Sequence, residues 1–567
     1  MNNIILSKVE QIKNDSDYLA GKIGSQLQNS NPYFEENEVQ LLKFHGTYQQ
    51  YNRDTATELK QKGLEKEFYF MIRTKIPAGL LTSKQYIELD DLTNEFSDPS
   101  LRITTRQTIQ FHGVLKGNLK KIINTVSTML LSTYGACGDV VRNVTTVAAP
   151  INDQIHKQLR QDALKVSSHF IPSSTSYGQI WINGDKYEYS DKENKEPIYG
   201  KTYLPRKFKI GITIPGDNSV DVLTNDIAIF LIFKNNKLLG YNIAIGGGLG
   251  MTHNKPETFP YLAKPLLFCN PSDLIKVLEE IVKIQRDYGD RKNRKHARLK
   301  YLVAEEGTKW FKRLIEYKLN KNFDNPLKLN NLKVVDHLGW HEQGDGKWYT
   351  GIFISSGRII DNQNKKIKTG LRDIIKKFNP SITLSTDQNI ILGNINEKDK
   401  NIIDQLLEQY SIVKKKISKV DRWFLACPAL PTCGLALSEA ERVRDEIIKK
   451  VDEILLKHDL QNEKFSIRIT GCPNGCARPY AGDIGIVGRA PNLYALFSGG
   501  DFEGTRLNKK ILDKVSYQDL TKAIEQILLL FKDQRKNKES LGDFCNRIGT
   551  EAQFKKQHSS TSNAVKM

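Results

Sequence analysis

"LRITTRQTIQFHG", Leu101–Gly113, alternates as a strand would. At period two, Arg102, Thr104, Arg106, Thr108, Gln110 and His112 share one face, and Ile103, Thr105, Ile109 and Phe111 share the other. A row of two arginines, a glutamine and a histidine is either a solvated strand face or a surface fitted to an anion. The stretch has an echo. "SITLSTDQNIILGNI", Ser381–Ile395, repeats its form: a strand, then Thr-x-Gln, then a second apolar run. Aligning Arg106-Gln107 with Asp387-Gln388 also brings "MIRTKIPAG" near "YTGIFISSGRI", and a helical segment follows each. The pattern reads as an internal duplication, with copies around residues 70–135 and 340–413. The first copy carries Arg106 where the second carries Asp387, so only the first is fitted to bind an anion.

The chain has 567 residues, too many for one ordinary core, and two to four packed units are expected. Its net charge of +19 calls for an acidic counterpart: nucleic acid, anionic membrane, an acidic protein or an anionic substrate. The lysines are scattered rather than gathered in a basic tail, which weakens the nucleic-acid reading. The N-terminal stretch turns polar too soon for a secretory signal. The longest apolar run, Ile227–Phe233, is far short of the ~18 residues of a membrane helix. A cytoplasmic protein is expected, or a plastid stromal one whose transit peptide has been removed.

The first fifty residues read as an irregular arm with short helices, with regular structure beginning near Phe68. "LPRKFKIGITIP", Leu204–Pro215, alternates as a strand, with Phe208, Ile210, Ile212 and Ile214 on one face and Lys207 and Lys209 on the other. Two like charges so placed repel unless solvent or an anion lies between them. "IAIGGGLGMTH", Ile243–His253, lacks nucleotide-binding spacing but marks a close backbone approach. "SDLIKVLEEIVKIQRDYG" and "SYQDLTKAIEQILLLFK" are amphipathic helices. The first leads into the basic run Asp290–Tyr301. The tail "KKQHSSTSNAVKM" has nothing to bury and is expected to be disordered.

Seven cysteines are too few and too odd in number for a disulfide scaffold. Four form two pairs: Cys427 and Cys433 in "ACPALPTCGLALSEAERV", Cys472 and Cys476 in "ITGCPNGCARPY". Ser438 and Glu441 make a capping-box pattern, predicting a helix that starts just after Cys433 and carries Val443, Ile447, Ile448, Val451, Ile454 and Leu455 as its apolar stripe. "KFSIRIT" is a strand that delivers Cys472. C-x5-C fits a zinc knuckle poorly, and neither pair is the C-x-x-C of thioredoxin-like chemistry. Four thiolates from two loops suit a [4Fe–4S] cluster, with zinc and structural thiols as the alternatives.

These stretches, with "LRITTRQTIQFHGVLK", "GACGDVVRNV", "YLPRKFK", "IGGGLGMTH" and "GWHEQGDGK", make the chain resemble the sirohaem-dependent assimilatory sulfite reductases over almost its whole length, most of all their ferredoxin-dependent branch. The resemblance implies a mixed α/β, three-lobed fold with a pseudo-twofold repeat. It divides the chain into an arm (1–69), paired ferredoxin-like half-domains (70–134 and 339–413), a central sirohaem and substrate domain (135–338) and a cluster domain (414–567). It implies that Cys427, Cys433, Cys472 and Cys476 hold the cluster and that Cys476 is shared with sirohaem. It implies that Arg73, Arg142, Lys207 and Lys209 surround the substrate. Arg102, Arg106, Gln110, His112, Arg206 and Arg298 match residues near the sirohaem carboxylates and ring. The implied activity is six-electron reduction of sulfite to sulfide, fed by ferredoxin. The alternatives are the haemoprotein subunit of an NADPH-linked sulfite reductase, a sirohaem nitrite reductase and, least favoured, a basic nucleic-acid-binding protein.

Overall fold

The computed structural model describes residues 6–173, 180–182, 185–187, 196–329, 332–412 and 417–549. The C-terminal tail expected to be disordered lies outside them. Leu101–Gly113 is not one strand. Leu101–Ile103 and Ile109–Val114 are two antiparallel strands joined by a tight turn, in which Thr104 N–H donates to the Thr108 carbonyl and Gln107 is left-handed (φ 54°). The apolar alternation survives the break because both strands face the same core. Arg106, however, leaves the row and sits at the turn's tip. The second copy has the same hairpin, Ser381–Leu384 and Ile390–Ile395, with Gln388 left-handed (φ 66°).

The two copies are interlocked. One sheet runs Thr47–Tyr51, Phe68–Arg73, Ile109–Val114, Leu101–Ile103, Arg358–Ile359. The other runs Gly339–Glu342, Trp348–Ile352, Ile390–Ile395, Ser381–Leu384, Leu80–Leu81. The last strand of each sheet thus comes from the other copy. Each turn glutamine completes the exchange: Gln107 Nε2 donates to the Leu384 carbonyl (2.8 Å), and Gln388 Nε2 to that of Ile103 (3.2 Å). Glycine permits the approach. A Cβ on Gly79 would lie 2.6 Å from the Leu384 oxygen, and one on Gly357 2.2 Å from the Ile103 oxygen. Ser83–Phe96 and Ile367–Phe378 are the equivalent helices behind the sheets, tied by Arg372 to buried Asp90 (2.6 Å). Apolar residues of both copies form one core that includes Ile103, Phe111, Ile382 and Leu392.

A second core surrounds the four-stranded sheet Lys264–Cys269, Lys237–Ile245, Ile227–Lys234, Ile210–Thr213. Helix Leu274–Tyr288 forms as its apolar spacing predicts and buries Val277, Leu278, Ile281 and Val282 there. A third core lies round the sheet Phe424–Ala426, Ile467–Thr470, Ile484–Ala490, Leu493–Ser498, Lys509–Ser516 and the predicted C-terminal helix, Tyr517–Gln534.

Several expectations need correction. Regular structure precedes Phe68: Thr47–Tyr51 is the edge strand of the first sheet. The early residues do form the expected short helices, Lys8–Asp15, Ile23–Gln28 and Glu36–Leu42, but they are packed into the molecule. Ile12 and Leu19 join the central core, and the fully buried Lys13 is paired with Glu10 and Asp139. Only Ile210–Thr213 of the Leu204–Pro215 stretch is regular strand, although Phe208, Ile210 and Ile212 are buried as the alternation requires. The helix after Cys433 starts at Arg444, with no side-chain cap. Ser438 instead donates to the Ala490 and Leu493 carbonyls, and Glu441 binds arginines. No helix among the described residues is long and apolar enough to cross a membrane.

The exchange makes a stability prediction. Gly357 is left-handed (φ 70°) and packed against backbone, whereas Gly63 is left-handed (φ 69°) in open space. Gly63→Ala should cost about 1–2 kcal/mol, the intrinsic left-handed penalty. Gly357→Ala should cost about 3 kcal/mol or more, because backbone must also move. Urea denaturation of both variants checks this, and equal costs would show that the crossing is slack.

Candidate active site

Three neighbouring strands align Arg73, Gln110 and Arg102 across the first sheet, since Arg73 and Arg102 each pair in register with Gln110. Gln110 turns its amide oxygen to Arg73, accepting from Nε (3.2 Å) and Nη2 (2.5 Å). Arg73 Nη1 also lies 3.3 Å from the Cys137 sulfur. Arg142 donates only to the carbonyls of Gly138 and Ala136. Lys207 and Lys209 project from the face opposite Phe208, and neither ammonium has a hydrogen-bond or ion-pair partner among the described residues. None of these four cations is neutralised by a carboxylate among the described residues. Burial first, then the charges of Arg206 and Arg298, brings Lys207 down to about 7. Burial, Lys207 and Arg106 hold Lys209 well below the ordinary lysine value.

The other row residues have divided duties. Arg106 Nη1 donates to Asn225 Oδ1 (2.5 Å) and Nη2 to the Ile210 carbonyl (3.0 Å), with the Asn143 carbonyl a further partner. The tip is thereby pinned to the central domain. Arg298 is held by Asp226 through Nε (3.1 Å) and Nη2 (2.8 Å). Arg206 lies 3.9 Å from Asp139, a carboxylate already gripped by Arg294. Arg102 faces Glu441 (3.4 Å) and the Ala426 carbonyl (3.2 Å), beside Cys427. Burial alone would raise Glu441, but Arg102 and Arg358 outweigh it and hold the carboxyl below its usual range. His112 is buried with both ring nitrogens unpartnered among the described residues, as is Arg106 Nε, whereas Arg102 Nε has the Glu441 carboxylate within ion-pair range. Burial, reinforced by Arg358, Arg102 and Arg73, keeps His112 neutral. Within the basic run after Asp290, Lys292 and Lys295 are exposed, but the other cations are engaged. Arg291, Arg294, Arg298 and Lys300 are all spent on Glu10, Asp139, Asp226 and main-chain carbonyls.

The four paired cysteines converge from two loops. Cys427 and Cys472 are buried, Cys433 is half-buried and Cys476 is exposed. Gly471 N–H points at the Cys427 sulfur (3.3 Å), and Asn474 Nδ2 at that of Cys472 (3.4 Å). Burial and then the charge of Cys476 push Cys427 and Cys433 up, and Cys472 to about 12. Thiols so placed stay protonated unless a polycation compensates them. Among the described residues, no three His, Cys, Asp or Glu side chains group tightly enough for a single metal ion. Four thiols drawn from two loops are the donor set of a [4Fe–4S] cluster. The glycine-rich stretch makes close approaches in two directions: a Cβ on Gly247 would lie 2.2 Å from the Leu223 oxygen, and against the cysteine loop Met251 N–H donates to the Pro473 carbonyl (3.0 Å) while a Cβ on Gly250 would lie 3.1 Å from the Asn474 oxygen.

Cys476 joins the two halves of the site. Its charge acts on Cys427, Cys433 and Cys472 on one side and on Arg73, Lys207 and Lys209 on the other. Sequence reasoning gave no role to Tyr48 or Cys137, which lie in the same basin. Burial raises the Tyr48 hydroxyl, Cys137 adds to the rise, and Arg142, Arg73 and Arg206 oppose it. The polar, aromatic run before Arg53 was the signal for Tyr48. Cys137 had none.

Known proteins share this plan. Residues 127–323 and 422–564 match the model "Nitrite and sulphite reductase 4Fe-4S domain". Residues 62–127 and 341–410 match "Nitrite/Sulfite reductase ferredoxin-like half domain", which reports the duplication independently. The chain is 41% identical to "Sulfite reductase (ferredoxin)" of Synechococcus elongatus, covering 96% of this chain and 90% of the relative. It is 40% identical to "Sulfite reductase (NADPH) hemoprotein beta-component" of Shewanella oneidensis, covering 95% and 96%. The solved structure of the Mycobacterium tuberculosis NirA protein superimposes with a TM-score of 0.79 at 20% identity, over 96% of this chain and 97% of that one, and so shares the fold. Fold and site define an oxidoreductase with a [4Fe–4S] centre. The chain belongs to the nitrite and sulfite reductase family.

Replacing Cys427, Cys433 or Cys472 by Ser should abolish cluster binding and destabilise the C-terminal core. Iron and acid-labile sulfide assays on the purified variants check this. Stoichiometric zinc without sulfide in the wild type would contradict the cluster.

Proposed function

We propose that the chain reduces sulfite to sulfide with six electrons at a sirohaem coupled to the [4Fe–4S] cluster, and that ferredoxin supplies the electrons. The observation that carries this reading is the basin of four cations, Arg73, Arg142, Lys207 and Lys209, without carboxylate partners around the exposed thiol Cys476. Such a basin is electrostatically incomplete without anions. Sirohaem, with eight carboxylates, fits the excess of donors, including the unpartnered His112 nitrogens and Arg106 Nε. Arg102, Arg106, Gln110, His112, Arg206 and Arg298 would hold it. Cys476 would be the ligand shared with the cluster, alongside Cys427, Cys433 and Cys472. When bound, the two cofactors supply the electron relay and the iron at which sulfite is reduced.

The chain's own residues do the rest. Arg73, bridged to Gln110, and Arg142, braced on two carbonyls, are preorganised donors for sulfite oxygens. Lys207 and Lys209 add charge and protons. Loss of oxygen from sulfite as water consumes protons with the electrons, and a lysine near 7 can surrender and recover one at neutral pH.

Sequence reading found no flavin or nicotinamide fingerprint, so another protein must deliver the electrons. The net charge of +19 suits an acidic carrier. The second reading, a haemoprotein subunit fed by an NADPH flavoprotein, draws on the 40% identity to that component. "LPTCGLALSEAER" favours sulfite over nitrite. Anaerobic turnover with reduced ferredoxin against an NADPH flavoprotein, and sulfite against nitrite, separates these readings.

Two outcomes are expected. Lys209→Met should keep iron and sirohaem content and lower sulfite turnover by about 10²-fold, the scale of a lost proton donor or charge stabiliser. A Lys207→Met, Lys209→Met double variant with wild-type turnover would defeat the assignment. Secondly, a bound anion raises the value of Lys207, so binding takes up a proton once the free lysine has lost its own. The KM for sulfite should therefore be flat below about pH 7 and rise above it. Lys207→Arg should flatten that rise.

A further inference from the structure

The repeat poses a question that the reaction does not answer: why the second copy carries Asp387 where the first carries Arg106. The two hairpin tips do not face equivalent surroundings. Both reach the segment Cys476–Arg478. This segment follows a left-handed Gly475 (φ 67°) and includes a left-handed Arg478 (φ 57°), so no strand or helix fixes its course. From the first tip, Thr105 Oγ1 donates to the Cys476 carbonyl (3.2 Å). From the second, Asp387 Oδ1 accepts from Arg478 Nη2 (3.0 Å), and the Thr386 carbonyl accepts from Nη1 (3.2 Å). The central domain closes the arrangement through Asp221, which lies 2.6 Å from Arg478 Nε and 2.6 Å from Arg468 Nη1. Arg106 itself is spent on pinning the first tip to the central domain.

We propose that the two repeat tips are the jaws of a clamp that fixes the Cys476 sulfur between cluster and basin, with Thr105 and Asp387 as its positioning residues. The duplicated half-domains thereby set the geometry of the shared ligand as well as covering it. An aspartate at the second tip is required because its counterpart is the cationic Arg478. An arginine there would repel it. The inference rests on the reading of Cys476 as the shared ligand.

The test uses the purified holoprotein and the variants Thr105→Val, Asp387→Asn and Asp387→Glu. Asp90→Asn serves as a control that breaks a buried ion pair behind the sheets. Iron and sulfide content, haem absorption, the electron paramagnetic resonance of the reduced cluster and its midpoint potential are measured for each. Thr105→Val and Asp387→Asn should retain wild-type iron and sulfide yet change the resonance line shape. Their turnover with a small chemical reductant should fall about ten-fold, as for a modest misplacement. Asp387→Asn should also shift the potential positive, because Arg478 then keeps only the Asp221 carboxylate, which it shares with Arg468. Asp387→Glu should restore both signals, and Asp90→Asn should change stability alone. Line shapes and potentials that match the wild type in both Thr105→Val and Asp387→Asn would overturn the clamp. If Asp387→Asn does not fold, the neutral, near-isosteric Thr105→Val decides alone. A wild type without a haem spectrum would overturn the shared-ligand reading instead, and the cluster resonance would still decide whether the jaws hold Cys476.

Discussion

Like-charge repulsion governs this molecule. Arg73, Arg142, Lys207 and Lys209 share a recessed basin without a carboxylate partner among the described residues, and Arg106, Arg206 and Arg298 stand behind them. Such a set is unfavourable in an interior unless each member is held in place. The fold does this for the arginines in two ways. Cations at the back are paired with buried acids, Arg298 with Asp226 and Arg294 with Asp139. Those at the front are restrained by neutral groups, Gln110 for Arg73 and main-chain carbonyls for Arg142. The uncompensated charge is thus left on Arg73, Arg142, Lys207 and Lys209, three of which lie within electrostatic reach of Cys476.

Periodicity made much of this legible. The buried faces of Leu101–Gly113 and Leu204–Pro215, the helices Leu274–Tyr288 and Tyr517–Gln534 and the duplication all follow from the spacing of apolar residues. The sequence-level errors share a cause. Alternation cannot reveal a turn that preserves the phase of the buried face, so the hairpin at Gln107 was read as continuous strand. Ser438 and Glu441 have a capping-box pattern, yet tertiary partners claim both side chains. Local spacing shows which groups are available but not which distant group takes them. The same limit applies to the row Arg102, Arg106, Gln110 and His112. The residue types suggest a polar site, while the division into Glu441 partner, tip anchor, Arg73 bridge and orphan imidazole depends on neighbours tens to hundreds of positions away.

The glycine-rich stretch is an instructive middle case. Its composition announced a close approach without saying to what. The structure answers with the Leu223 carbonyl and with the Cys472–Cys476 loop, braced by Met251 and packed over Gly250. The cysteine loop is therefore supported by the two repeat tips, by Asp221 and by a glycine-rich stretch unlike either tip, each contributing one or two contacts. No single motif could have disclosed that arrangement.

The traded edge strands also bear on how the chain is made. Leu101–Ile103 gains its outer neighbour only from Arg358–Ile359, and Leu80–Leu81 finds its place only beside Ser381–Leu384. During synthesis, the first copy therefore leaves the ribosome with an open sheet edge and an unfilled short strand. Both persist while more than two hundred further residues, including the whole central sheet, are added. Closure is a late, long-range event of the kind that slows folding and leaves strand edges exposed to other chains. The contacts that unite the halves in the finished molecule thus make the nascent chain dependent on protection until its second copy emerges.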